Sequence, residues 1–192
     1  MSRSHREKME SLRRYFALRR WNALVAIIGQ DIPGFEVRYW YKASRYVGVA
    51  SYLDDRDGAS SHYPKVWFSS RQMVEQTVPV NALQHEWVHL KDAQTLFGLR
   101  PAWSAAVNAF LFSVLYYFPQ VLAPLAILGF LNPYLFTFLI FVAPLPSPFR
   151  AYAEARAYRR TIELGDASVD SLLPKFTGSD YYCMMPFAGV AR

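Results

Sequence analysis

Cysteine occurs once in this chain, at Cys183, so an internal disulfide and an all-sulfur zinc site are both excluded. It stands in the apolar run 181–187, where a small buried hydrophobe is its ordinary role. Histidine is nearly as scarce, with four residues at positions 5, 62, 85 and 89. No internal repeat, no glycine-rich phosphate loop and no low-complexity segment is present, which removes repeat arrays and P-loop nucleotide chemistry from consideration. Charge is missing altogether from residues 101–149, which contain no Asp, Glu, Lys, Arg or His.

What is present is apolar and basic. The 192 residues suffice for one domain with a real core and little more than an appendage beside it. They are 53% hydrophobic and 17% aromatic, and the formal net charge is +6. That charge is concentrated at the start: the first twenty residues hold seven Lys/Arg against Glu7 and Glu10. This basic segment runs into the apolar stretch 21–28 and breaks at Asp31-Ile32-Pro33-Gly34. It lacks the small-residue cleavage site of a signal peptide. The pattern predicts a basic amphipathic helix over residues 1–33, meeting anionic lipid headgroups or plain solvent. Nucleic acid is a third partner for clustered arginine, but nothing else in the chain supports it, and it is not expected.

Two of the four histidines fall in one pattern, His85-Glu86-Trp87-Val88-His89. On a helix, positions i and i+4 lie one turn apart on the same face, so both imidazoles can reach one metal ion. Glu86 is then placed to take a proton from water rather than to ligate. The surroundings read as helix: Pro79 suits a first turn, and Gly98 suits a stop after Leu96-Phe97. Leu83, Trp87, Leu90 and Phe97 recur as an apolar stripe, and His85, His89 and Asp92 fall on the neighbouring one.

Before this helix the periodicity is that of strands. Residues 35–41 alternate, residues 46–53 are rich in β-branched and aromatic side chains, residues 54–58 supply a turn, and residues 65–69 form a third strand. Together they predict a small antiparallel sheet, whose last strand is placed to pair with an extended peptide or simply to fill the core. The fold class is therefore α+β, with residues 34–192 forming one domain. The uncharged residues 101–149 form an apolar helical hairpin within it. Its arms, residues 102–118 and 121–142, are each near the lower limit for a bilayer core of about 30 Å. Arg100 lies before the hairpin, and Arg150, Arg156, Arg159 and Arg160 after it. Both ends then face the cytoplasm, with the turn dipping into or across a membrane. Burial against protein in a larger assembly is the other setting for such a hairpin.

Two histidines do not complete a catalytic zinc site, which normally takes three protein ligands and keeps a place for water. No histidine follows His89, so a downstream third histidine is excluded, and the downstream acids become the candidates. Asp92 lies less than a turn beyond His89, where supporting contact is easier than joint coordination. Glu154 is the better candidate, flanked by Ala153 and Ala155 on a helix that can approach closely. Glu163 is the reserve. An exposed Glu154 paired with Arg150 at i−4 is the ordinary surface alternative.

The order of motif helix, apolar hairpin and Glu-bearing helix resembles gluzincin-type metallopeptidases, most closely the integral-membrane HtpX and CAAX prenyl protease group. The resemblance covers residues 65–165. It implies Zn²⁺ held by His85, His89 and Glu154, with Glu86 as catalytic base and then acid. It also implies a protein or peptide substrate and a membrane location with the catalytic part on the cytoplasmic side. That group carries an Asp four residues after its ligand glutamate; here the position is Tyr158, which leaves Asp92 as the acid available to support the ligands. Tyr158, Tyr181 and Tyr182 are the candidate oxyanion donors. A structural or assembly protein with a vestigial zinc site is the alternative function, followed by a lipid- or nucleic-acid-binding module and a hydrolase of other carbonyl compounds.

Overall fold

An amphipathic start, a short run of strands and a series of helices follow one another along the chain. The computed structural model describes residues 3–41, 59–116, 148–165 and 167–177. Helix α1 (Arg3–Asp31) is followed by β1 (Glu36–Tyr41), β2 (Ala59–His62) and β3 (Lys65–Ser70). Next come α2 (Arg71–Thr77), α3 (Val80–Thr95), a 3₁₀ turn at Ala102–Ser104 and α4 (Ala105–Tyr116). Helices α5 (Pro148–Glu163) and α6 (Val169–Thr177) complete the described part. The class is α+β, as the sequence predicts. The chain divides into two compact units, Met1–Leu90 and Lys91–Arg192, and helix α3 runs through the division.

In the first unit, hydrophobic spacing decides which faces are buried. Trp21, Leu24 and Ile28 recur at three- and four-residue intervals on α1, and with Ile32 they enter the core. Val66 and Phe68 alternate along β3 and meet them from the sheet, both at zero exposure. The Trp21 and Phe68 rings lie 5.5 Å apart edge to face. Leu83 and Leu90, seven residues apart on α3, complete this core, so the motif helix is fixed by its apolar side. A polar contact adds to the packing: Trp87 Nε1 donates to Asp31 Oδ2 at 3.0 Å, joining the end of α1 to the middle of α3. The Arg14 guanidinium donates to the Glu75 carbonyl at 2.9 Å, joining α1 to α2.

The sheet differs from the expected antiparallel one. Its order is β1-β3-β2, with β1 parallel and β2 antiparallel to β3. Residues 59–62, not 46–53, form the hairpin arm next to β3, through a turn at Tyr63-Pro64. That leaves β1 the opposite side of β3, and because β2 runs antiparallel between them in chain order, β1 and β3 pair parallel. The expected strand at 46–53 and its turn at 54–58 lie outside the described residues. The last strand is therefore the central one. With neighbours on both sides its backbone is already paired, so the expectation that it receives an extended peptide is overturned.

In the second unit, the apolar stretch after the motif helix begins as α4. The twelve described residues of α4 span about 18 Å. Among the described residues, no helix is long and apolar enough to cross a membrane. The second arm of the expected hairpin, 121–142, lies outside the described residues. Helix α6 packs Leu172 and Phe176 with Ala151 and Tyr158 of α5 in a small apolar cluster.

Truncating the sheet's central aromatic removes a fully buried ring. Phe68→Ala should lower stability by about 3–5 kcal/mol, measured by chemical denaturation. Leu99→Ala, at a side chain 80% exposed, should stay within about 0.5 kcal/mol of the parent.

Candidate metal centre

Helix α3 is built to carry ligands on one side because its other side is committed to the core. Leu83 and Leu90 are fully buried, and Trp87 packs against the same cluster. His85 and His89 stand on the adjoining face, one turn apart, as the sequence predicts. Their Nε2 atoms are 3.3 Å apart. Two nitrogens each about 2.0–2.1 Å from one tetrahedral ion lie about 3.3 Å apart, so the pair has the separation that a shared ion requires.

The carboxylate comes from α5. One ligand atom from each of His85, His89 and Glu154 can be chosen so that all lie within 4.8 Å of one another, and this group can hold a metal ion. Glu154 is 2% exposed, so the surface alternative, an exposed acid paired to Arg150, does not describe it. Its position follows from local sequence: Ala151, Ala153 and Ala157 are all buried on α5, and their small side chains let neighbouring groups come close to that face. Two nitrogens and one carboxylate form a donor set that fits a divalent transition-metal ion. His89 is buried and His85 is less so, which makes His85 the more accessible of the two imidazoles.

Other groups support this arrangement within the second unit. The Tyr116 hydroxyl, at the end of α4, donates to Glu154 Oε1. The Tyr116 ring stacks on Phe112 with centroids 5.6 Å apart, and the Arg150 guanidinium lies 5.0 Å from its centre. Sequence reasoning missed Tyr116, because it sits in an uncharged stretch where an aromatic residue reads as apolar filling. Asp92, expected to support the ligands, is 1% exposed and accepts from Arg156 of α5 at 3.0 Å. Arg156 also donates to the Tyr152 hydroxyl at 3.4 Å. That hydroxyl is the main reason its guanidinium is held above the ordinary value, with Asp92 adding to the effect and partial burial opposing it.

The orientation of α4 has its own cause. Asn108, fully buried, donates to the carbonyls of Gln94 at 2.7 Å and Pro101 at 3.1 Å. Its Oδ1 accepts from the Ser104 hydroxyl at 3.1 Å. The amide thus ties the last turn of α3 to the first turn of α4, and α4 then delivers Tyr116 to Glu154.

The remaining candidates divide between the motif helix and positions away from it. Glu86 is buried at 7% exposure, next to the first histidine on α3. Tyr158 belongs to the α5–α6 cluster, its ring 5.8 Å from Phe176 and 5.4 Å from the Lys175 ammonium. Glu163, the reserve ligand, is exposed and pairs with Arg159 and Arg160 at 3.2 Å each. Tyr181 and Tyr182 lie outside the described residues.

No family model matches this chain, and neither does any curated protein or solved structure. The metal group accordingly stands on its own residues.

Tyr116→Phe removes one hydroxyl from Glu154 and no carbon from the stack on Phe112. It should weaken zinc or cobalt binding about 10-fold or more, measured by competition with a chromophoric chelator. Asp92→Asn, which leaves Arg156 half-solvated, should cost about 1–3 kcal/mol of folding stability in denaturant titrations.

Proposed function

We propose that this chain is a zinc-dependent metallopeptidase that hydrolyses peptide bonds in protein or peptide substrates. The observation that carries the reading is the gathering of the His85, His89 and Glu154 ligand atoms within 4.8 Å of one another. It is supported by Glu86, which follows the first histidine directly and is buried beside it in sequence and on the helix. Zinc held by these three residues would polarise the scissile carbonyl and bring the pKa of water toward about 7. Glu86 accepts a proton from the attacking water and returns it to the leaving amine as the C–N bond breaks. Tyr116 holds one oxygen of Glu154 and so limits the rotation of that carboxylate. Asp92, fixed by Arg156, stiffens the last turn of the helix that bears both imidazoles.

The order of motif helix, apolar stretch and Glu-bearing helix supports placement with the gluzincin-type membrane peptidases, working at the cytoplasmic side. A structural protein with a vestigial site is the reading left if the chemistry fails.

Substituting the base separates these two. Glu86→Gln should keep one zinc per chain and lose peptide hydrolysis by about 10²–10⁴-fold, assayed on a quenched-fluorescence peptide library. Hydrolysis at the parent rate in that variant would reject the mechanism. A gently purified parent chain without stoichiometric zinc would favour the structural role.

A further inference from the structure

We infer that helix α1 is an in-plane docking face for an anionic lipid bilayer, set by a second apolar row that the core does not use. At about 100° per residue, Met9, Leu12, Phe16, Ala23 and Ile27 share an arc about 60° wide. That arc is turned about 120° from the row of Trp21, Leu24 and Ile28 that enters the core. The buried row is at most 8% exposed, whereas Met9, Leu12, Phe16 and Ile27 are 40%, 51%, 58% and 50% exposed. From Lys8 to Phe16 every described side chain is exposed, so this half of the helix offers its outer face freely. A helix with two apolar rows, only one of them covered, has a surface fit for a second apolar medium.

Charge decides which medium. Lys8 and Arg19 border the outer row on one side, and Arg13 and Arg20 border it on the other; all four are exposed. The only acid between Lys8 and Ile27 is Glu10, which lies on the core side of the helix. Arg14, also on the core side, is engaged with the Glu75 carbonyl. A second copy of this chain packed face to face would set these cations against their own images. A nucleic acid would meet the cations but leave the central row of large apolar side chains in water. A bilayer with anionic headgroups satisfies both features: acyl chains take Met9, Leu12, Phe16 and Ile27, while headgroups take the flanking ammonium and guanidinium groups. Tyr15, with the Arg19 guanidinium 6.0 Å from its ring centre, lies on the headgroup side of the outer row, next to Lys8 around the helix. This inference does not depend on the metal centre.

The test uses the full chain and vesicle co-sedimentation. Parent protein is compared with the double variant Leu12→Asp/Phe16→Asp and the double variant Arg13→Glu/Arg19→Glu. The vesicles are phosphatidylcholine alone, or phosphatidylcholine with about a third phosphatidylserine. Both pairs of positions are exposed, and unchanged melting curves certify the fold. The parent should sediment with the phosphatidylserine vesicles and release as salt is raised. The first variant should bind them at least about 30-fold more weakly, and the second should lose the preference for phosphatidylserine. The apolar residues 101–149 are intact in every protein, so binding through them would be equal in all three and would overturn the inference. It would equally be overturned by a parent chain that ignores the vesicles and forms a dimer which Leu12→Asp/Phe16→Asp dissolves.

Discussion

Three carboxylates withdrawn from water set the terms for the rest of this structure. Glu86, Asp92 and Glu154 are 7%, 1% and 2% exposed. Removing an ionised carboxylate from solvent costs several kcal/mol unless donors or cations replace the lost water. Asp92 has Arg156, and Glu154 has the Tyr116 hydroxyl. A cation held by His85, His89 and Glu154 would supply a further counter-charge for Glu154. The same burial that is unfavourable for an isolated acid is what makes a carboxylate a strong ligand. The arrangement is thus costly as plain structure and reasonable as a metal centre.

Rigidity on the opposite side of the motif helix is the companion requirement. Imidazoles a turn apart point at one ion only if their helix neither rolls nor frays. Rolling is resisted by Leu83 and Leu90 in the core and by the Trp87 bond to Asp31. Helix α1 therefore has two separate tasks along its length. Its second half, with Trp21, Leu24 and Ile28, is a floor for the sheet and for α3. Its first half is free of that task, and its composition there is basic and apolar.

Legibility followed the range of the interactions. The motif helix and its stripes were readable because helical spacing is local, and Glu154 was readable because small neighbours on the same helix mark a close approach. Asp92 could be placed as a supporting acid from its spacing to His89, although its partner Arg156 could not, since any of the four arginines 150, 156, 159 and 160 might pair at the surface. Tyr116 was illegible: nothing within the apolar stretch separates a tyrosine that fills space from one that donates to a carboxylate. The sheet order was hidden for a related reason. Alternation identifies β1 and β3 as strands, but it carries no information on which strand is central, and a polar four-residue strand, Ala59–His62, has no periodic signal at all. The central place of β3 comes from pairing partners far along the chain, not from its own side chains.

The end of the motif helix shows how a local rule can be right in kind and incomplete in detail. Gly98 stands where a stop was expected, in the left-handed region at φ +81°. Leu96 and Phe97 precede it there, at φ +47° and +59°. Each carries a Cβ, so each costs on the order of 1 kcal/mol or more in that region. Local contacts offset this. The Phe97 amide donates to the Asp92 carbonyl and the Arg100 amide to the Thr95 carbonyl, both at 2.9 Å. The Gly98 amide donates to Thr95 Oγ1 at 2.9 Å. The Phe97 ring packs between Phe112 and Tyr152, with centroids 5.3 and 5.4 Å away. A glycine alone would end the helix without choosing the direction of exit. Because Phe97 must reach Phe112 and Tyr152, and Asn108 must reach Gln94, the exit has one direction that satisfies both, and Tyr116 comes to Glu154 as the consequence.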